Sequence, residues 1–166
     1  MRGDNMENND IKIDNLYGIF KFRVNGILMH DDKILVVKMD NNPFYCLPGG
    51  HVKLGEDSKS AVVREIKEET GYDSHINKLV TTTENFFVRK NGKIIHEIGF
   101  YYLLNLDDKE DINHKEYDTI EESEEKINLH FKWIPINELK DVDFKPQELK
   151  EKIENKDINF QHLIIK

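Results

Sequence analysis

One stretch, SKSAVVREIKEET at residues 58–70, constrains this chain more than any other. It holds no Gly or Pro and is dense in strong helix formers. Asp57 or Ser58 can cap its N-terminus, and Gly71 stands where a C′ glycine closes a helix. The spacing predicts a helix over 58–70, set in a chain whose other apolar segments read mainly as strands.

Upstream, residues 17–24 and 27–30 alternate or cluster apolar side chains. Asp31-Asp32 then supplies a turn before KILVVKM at 33–39, which predicts a short hairpin. Asn41-Asn42-Pro43 is a second turn, and 44–47 is a short strand ending at Pro48-Gly49-Gly50. Downstream, 79–89 and 93–106 are strand-like and meet at Asn91-Gly92, the strongest short hairpin signal. Residues 107–126 are polar and strongly acidic and are expected to form a long loop. A strand at 129–134, a helix from Pro146 to about residue 154 and a terminal strand at 163–165 complete the reading. With no repeat and no linker, the expectation is a polar tail at 1–15 followed by one domain over 16–166. Strands flanking two helices make that domain α/β.

The 166 residues include 24 Lys or Arg and 32 Asp or Glu, a net charge of −8, and 38% are hydrophobic. That is apolar material for one ordinary core. The acid excess argues against polymeric nucleic acid or an anionic membrane as a partner held by bulk electrostatics. It leaves room for a small anion approached through a metal cation. A single cysteine, Cys46, excludes an intramolecular disulfide and a Cys-rich zinc site, and fits a reducing compartment. The longest apolar run is about five residues, against the ~20 that a bilayer-spanning helix needs. The N-terminus has neither signal-peptide nor anchor character. A cytoplasmic location is therefore expected.

Chemistry concentrates in GGHVKLGEDSKSAVVREIKEETGY at 49–72, which carries Glu56, Asp57, Glu65, Glu68 and Glu69. On a helical wheel Glu65, Glu68 and Glu69 share an arc of about 100°, with Val62, Val63 and Ile66 on the neighbouring arc toward a core. Arg64 lies one turn before Glu68 and can pair with it. Like charges on one face repel, and partial burial raises the cost or the pKa of one of them. A divalent cation removes the problem, and an oxygen ligand set suits Mg²⁺ or Mn²⁺. The competing reading is a solvated acidic surface, common in a chain this charged. The Gly49-Gly50 turn before, Gly55-Glu56 between and the capped exit at Gly71 favour a site.

Gly50, five residues, Glu56, seven residues and then Arg64-Glu65-Ile66-Lys67-Glu68-Glu69-Thr70-Gly71 resembles the Nudix box, the signature of the Nudix hydrolases. Only Tyr72 departs from it, at a packing position where an aliphatic residue is usual. The resemblance implies the Nudix fold, an α/β/α sandwich with a mixed central β-sheet. It also implies cleavage of a diphosphate linkage in a small nucleoside diphosphate joined to another group, with Mg²⁺ or Mn²⁺ as cofactor. Carried over, Glu68 and Glu69 would be metal ligands and Glu65 a further ligand or the general base. Glu56 would support the metal shell, joined by the backbone carbonyl of Gly49 or Gly50. Arg64 would orient the glutamates, so that Glu65, Arg64 and Glu68 form the expected catalytic set. Nudix proteins are often dimers, which makes a homodimer an expectation too.

Other residues carry two readings each. Glu97, in the strand-like HEIGFYY, is either outward-facing or part of the site. The run 121–125 is mostly a solvated loop, but Nudix proteins often draw a further ligand or base from this region, which makes Glu121 and Glu122 candidates. Phe86, Phe87, Tyr101 and Tyr102 suit core packing, with one of them, Phe86 as the candidate, available to stack on a base. His51 and Lys53 either approach phosphates or are exposed loop residues. Cys46 reads as a small core residue. The rival functions are a non-catalytic nucleotide-binding sensor on the same fold and a plain α/β domain with an acidic surface helix.

Overall fold

The computed structural model describes residues 9–40, 42–107, 112–121 and 126–166, with Glu121 described through its backbone alone. Strands β1 (Lys12–Asp14), β2 (Ile19–His30), β3 (Lys33–Met39), β4 (Tyr45–Cys46) and β5 (Gly49–His51) lead into helix α1 (Ser58–Thr70). There follow β6 (Ser74–Val88), β7 (Ile94–Leu106), β8 (Tyr117–Glu121), β9 (Ile127–Pro135), a 3-10 segment at Ile136–Asp141, α2 (Gln147–Glu154) and β10 (Gln161–Ile165).

The strands form a mixed sheet in the order β10-β6-β7-β2-β3-β9-β8. The pairs β2–β7 and β10–β6 are parallel, and the remaining pairs on that path are antiparallel. Successive side chains on a strand point to opposite faces, and each face is covered by a helix. On one side Val24 and Leu28 of β2 pack with Ala61, Val62 and Ile66 of α1. On the other, Ile27 of β2 and Tyr101 of β7 pack with Leu149 and Ile153 of α2 and with Leu139 and Phe144. The result is the expected α/β/α layering. Among the described residues no helix is long and apolar enough to cross a membrane.

Strand β2 decides where the site lies. Along one edge it pairs with β7 from Ile19↔Ile95 to Leu28↔Leu104. Along the other, β3 holds only its C-terminal end, at Met29↔Ile34 and His30↔Lys33. The middle of that edge is taken by β5, from Arg23↔His51 to Asn25↔Gly49, and its start by β1, from Asp14↔Ile19 to Lys12↔Lys21. This fork places the Gly49-Gly50 turn against the middle of the sheet, directly before α1.

Two sequence expectations change and one holds. Residues 9–14 are part of the sheet rather than a free tail: Ile11 N–H donates to the Val52 carbonyl, Leu54 N–H to that of Asn9, and Lys12–Asp14 pairs with β2. The hairpin expected from 17–30 and 33–39 is present, its first strand running from Ile19 and continuous through Asn25-Gly26 because β7 pairs across that dipeptide. The acidic stretch 107–126 contains a strand, β8, whose Tyr117 stacks on Phe131 with centroids 4.9 Å apart. Its few apolar side chains hid it, since an edge strand buries little. Residues 108–111 and 122–125, Glu122 included, lie outside the described residues. Elsewhere differences are small: β6 begins at Ser74, and Pro146 is the cap of α2 rather than its first residue.

Candidate active site

Helix α1 begins at Asp57, whose carboxylate accepts hydrogen bonds from the Lys59 and Ser60 amides at 3.0 and 3.1 Å. It ends at Gly71, in the left-handed region at φ 76°. With Ala61, Val62 and Ile66 buried, the helix is fixed in rotation, and Glu65 and Glu69 are turned toward the Gly49-Gly50 strand. The Gly49 amide donates to Glu69 Oε2 at 2.9 Å. A Cβ placed on Gly50 would come within 2.2 Å of Glu65 Oε2. Glycine at 50 thus leaves open the space that the Glu65 carboxylate occupies.

Arg64 ties the acidic side chains together. Its Nε and Nη2 donate to the two oxygens of Glu56, both at 2.8 Å, in a bidentate pair. Its Nη1 donates to Glu65 Oε1 at 2.6 Å and to Glu68 Oε2 at 3.1 Å. A further bond, at 3.2 Å, reaches the carbonyl of His51. Its three nitrogens are therefore all occupied by protein acceptors, which makes it a positioning residue for Glu65 and Glu68. Glu56, placed in the metal shell by sequence, spends both oxygens on Arg64, and Oε2 also accepts from the Lys53 amide.

The charges respond unequally. Hydrogen bonding from Arg64 holds the Glu56 carboxyl below its ordinary range. Glu65 moves upward instead, because burial outweighs the same arginine, and Glu68 adds to the rise. Glu68 is the open member, its side chain 55% exposed against 14% for Glu65. Glu65, Glu68 and Glu69 offer hard oxygen donors on one side of the helix, with a half-buried carboxylate that a cation would stabilise. This donor set fits Mg²⁺ or Mn²⁺.

Arg23 is the contributor that sequence reading missed. Its Nη2 donates to the Gly49 carbonyl at 2.8 Å, and its Nε is buried without a partner. Burial acts to lower its pKa, but the charges of Glu97 and Glu69 hold it above the usual value. Lys21, two residues earlier on the same face, is buried and pulled down to about 8, by burial first and by Arg23 next. His51, opposite Arg23 in the β2–β5 register, is pulled down to about 3, by burial foremost and then by Arg23, Lys21 and Lys12. A signal was present: Lys21 and Arg23 share the parity of Ile27, which faces the core.

The other candidates divide. Glu97 lies beside Lys21 in the β2–β7 register and acts on Arg23, so it connects to the site through that arginine. Phe86 stacks on His96 with centroids 4.3 Å apart, in an aromatic group that includes Phe20. Cys46 is half-buried and its thiol is pushed up to about 11 by burial, which disfavours the reactive thiolate.

The NUDIX domain family model matches residues 20–155. The chain belongs to the Nudix family. Over 74 residues it is 47% identical to the ADP-ribose pyrophosphatase of Methanocaldococcus jannaschii, covering 43% of this chain and 44% of that protein. The match thus spans less than half the length of that relative. The crystal structure of a Nudix hydrolase from Nitrosomonas europaea aligns with a TM-score of 0.60 at 19% identity, over 87% of this chain and 78% of that one. That of a UDP-X diphosphatase aligns at 0.57 and 20% identity, over 90% and 69%. At these identities the likeness is one of fold, and the α/β/α sandwich described above is the Nudix fold. The box motif spans the Gly49-Gly50 turn, the Glu56–Arg64 pair and all of α1.

Proposed function

We propose that this Nudix protein hydrolyses the diphosphate linkage of a small nucleoside diphosphate joined to another group, with Mg²⁺ or Mn²⁺ as cofactor. The observation that carries the reading is the Arg64 clamp, which holds Glu65 and Glu68 beside Glu69 at the Gly49-Gly50 strand. In a purely solvated helix face nothing would require a glycine under Glu65 or a bidentate partner for Arg64. Glu65, Glu68 and Glu69 would hold the cation. When bound, it would screen the phosphate charge, polarise the phosphoryl oxygens and acidify a water. Glu65, half-buried and held by Arg64, also suits acceptance of a proton from the attacking water. Arg64 and Glu56 keep these carboxylates in one geometry, and geometry is worth much of the rate. The partly buried Arg23 supplies positive charge on the Gly49 side, in a chain whose net charge of −8 repels phosphates overall.

The similarity to an ADP-ribose pyrophosphatase makes ADP-ribose the first substrate to try. The test is a panel of ADP-ribose, nucleotide sugars, nucleoside triphosphates and dinucleoside polyphosphates with Mg²⁺ or Mn²⁺, read as nucleoside monophosphate release. Turnover should require the cation and fall by about 100-fold or more in Glu69→Gln. Unchanged turnover in Glu69→Gln removes the catalytic assignment. Nucleotide binding without turnover on any member selects the sensor reading.

A further inference from the structure

Away from the glutamates, at the β2–β3 hairpin, metal-binding side chains from two distant parts of the chain converge. His30 ends β2, Asp31 opens the turn, and His114 arrives from the segment before β8. His30 Nδ1 and His114 Nε2 lie 2.8 Å apart. His30 Nδ1 is 3.5 Å from an Asp31 carboxylate oxygen. All three ligand atoms fall within 4.8 Å of one another. We propose that His30, Asp31 and His114 form a second metal site, separate from the glutamate cluster, that takes a borderline transition-metal ion of the Zn²⁺ or Co²⁺ kind.

The donor set makes the distinction. Two imidazoles and one carboxylate are the ligands of zinc-type ions, whereas Mg²⁺ seeks oxygen. Metal–ligand distances of about 2.0–2.2 Å set tetrahedral neighbours roughly 3.3 Å apart, so the His30–His114 and His30–Asp31 edges stand within about half an ångström of a one-ion triangle, and the Asp31–His114 edge, no longer than 4.8 Å, has to close by about 1.5 Å at most. Three protein ligands leave a fourth position for water. The backbone holds the first two ligands rigidly, because Asp31 and Asp32 both occupy the left-handed region of a tight two-residue turn. Trp133 of β9 walls the site, its ring 5.2 Å from that of His114 and 6.4 Å from that of His30. Binding would tie the hairpin to the segment that leads into β8.

The same geometry serves a hydrogen bond between the two imidazoles, and Lys33 identifies the competition. Its Nζ lies 3.3 Å from His114 Nδ1. An ammonium only donates, so Nδ1 accepts, and the His114 proton sits on Nε2 facing His30 Nδ1. A metal ion must displace that proton to Nδ1 and turn Lys33 away. Lys33 is therefore an antagonist of the site, a role that a merely structural histidine pair does not create.

Trp133 is the chain's one tryptophan and a built-in probe. The full chain, stripped of metal and then saturated with Mg²⁺ to fill the oxygen-ligand site, is titrated with Co²⁺ and followed by tryptophan fluorescence and visible absorption. Saturable quenching at one equivalent is expected, with Zn²⁺ reversing it. His30→Gln and His114→Gln should weaken the apparent affinity by at least about tenfold. Lys33→Met should tighten it, and Glu68→Gln should leave it unchanged. Equal affinity in wild type and His114→Gln overturns the site, as does quenching that is lost in Glu68→Gln. Absence of saturable quenching in the wild type overturns it with no variant needed, so a misfolded histidine variant does not protect the proposal.

Discussion

Gly49 and Gly50 stand side by side and exclude a side chain for different reasons. Gly49 has φ 145°, and a Cβ there would meet the backbone carbonyl oxygen of Val24 at 2.1 Å. That neighbour belongs to the sheet and cannot yield. At Gly50 the obstacle is the end of the flexible Glu65 side chain, which can. Gly49→Ala should therefore cost stability, about 2 kcal/mol or more in denaturant unfolding. Gly50→Ala should melt near the wild type yet lose about tenfold or more in kcat, because it moves Glu65. Equal stability losses in the two variants would refute the distinction. At this scale the glutamates were legible, since one helix sets their spacing. Arg23 was legible only in its parity with Ile27; its bond to Gly49 depends on β5 joining β2, which no local pattern encodes.

Helix α1 is an element whose ends are written in its sequence. Asp57 caps it through two backbone amides and also accepts a hydrogen bond from the Ser60 hydroxyl. Asp57→Ala should lower the melting temperature by about 2–4 °C, measured calorimetrically. Strand β8 is the opposite case: its pairing with β9 carries little apolar pattern, and polar ties secure it. His130 of β9 bridges Asp40, just after β3, and Asp118 of β8. Hydrogen bonds with Asp40 first and Asp118 second raise its pKa above the ordinary value. A folded pKa above the unfolded one means the bridge contributes fully below about pH 6.5. Its contribution is lost as pH climbs through the raised folded value. An NMR titration should place His130 above 6.5, and Asp118→Asn should lower it. A His130 that titrates normally would remove this account of how β8 is held.

Over the whole molecule, charge and burial pull against each other at the centre of the sheet. Lys21 is 8% exposed, and burial, then Arg23, brings it down to about 8. Its unfolded value is near 10.5, so between about pH 8 and 10.5 the unfolded chain binds more protons than the folded one. Stability from this group must rise with pH across that window. Chemical denaturation at pH 8 and pH 10 should show that rise in the wild type relative to Lys21→Met, in which it disappears; parallel profiles would contradict it. What the sequence by itself determined is whatever neighbouring residues decide: helix α1 with its caps, the box that names the family, and the hairpins at Asp31-Asp32 and Asn91-Gly92. Periodicity, capping and turn conformation act over a few residues and can be read one segment at a time. The tertiary structure alone decided the fork along β2, the entry of residues 9–14 and of β8 into the sheet, the burial of Lys21, the bond from Arg23 to Gly49, and the meeting of His30 with His114. Each of these depends on pairing between segments far apart in the chain, where the choice of partner rests on the packing of the whole sheet rather than on any local preference.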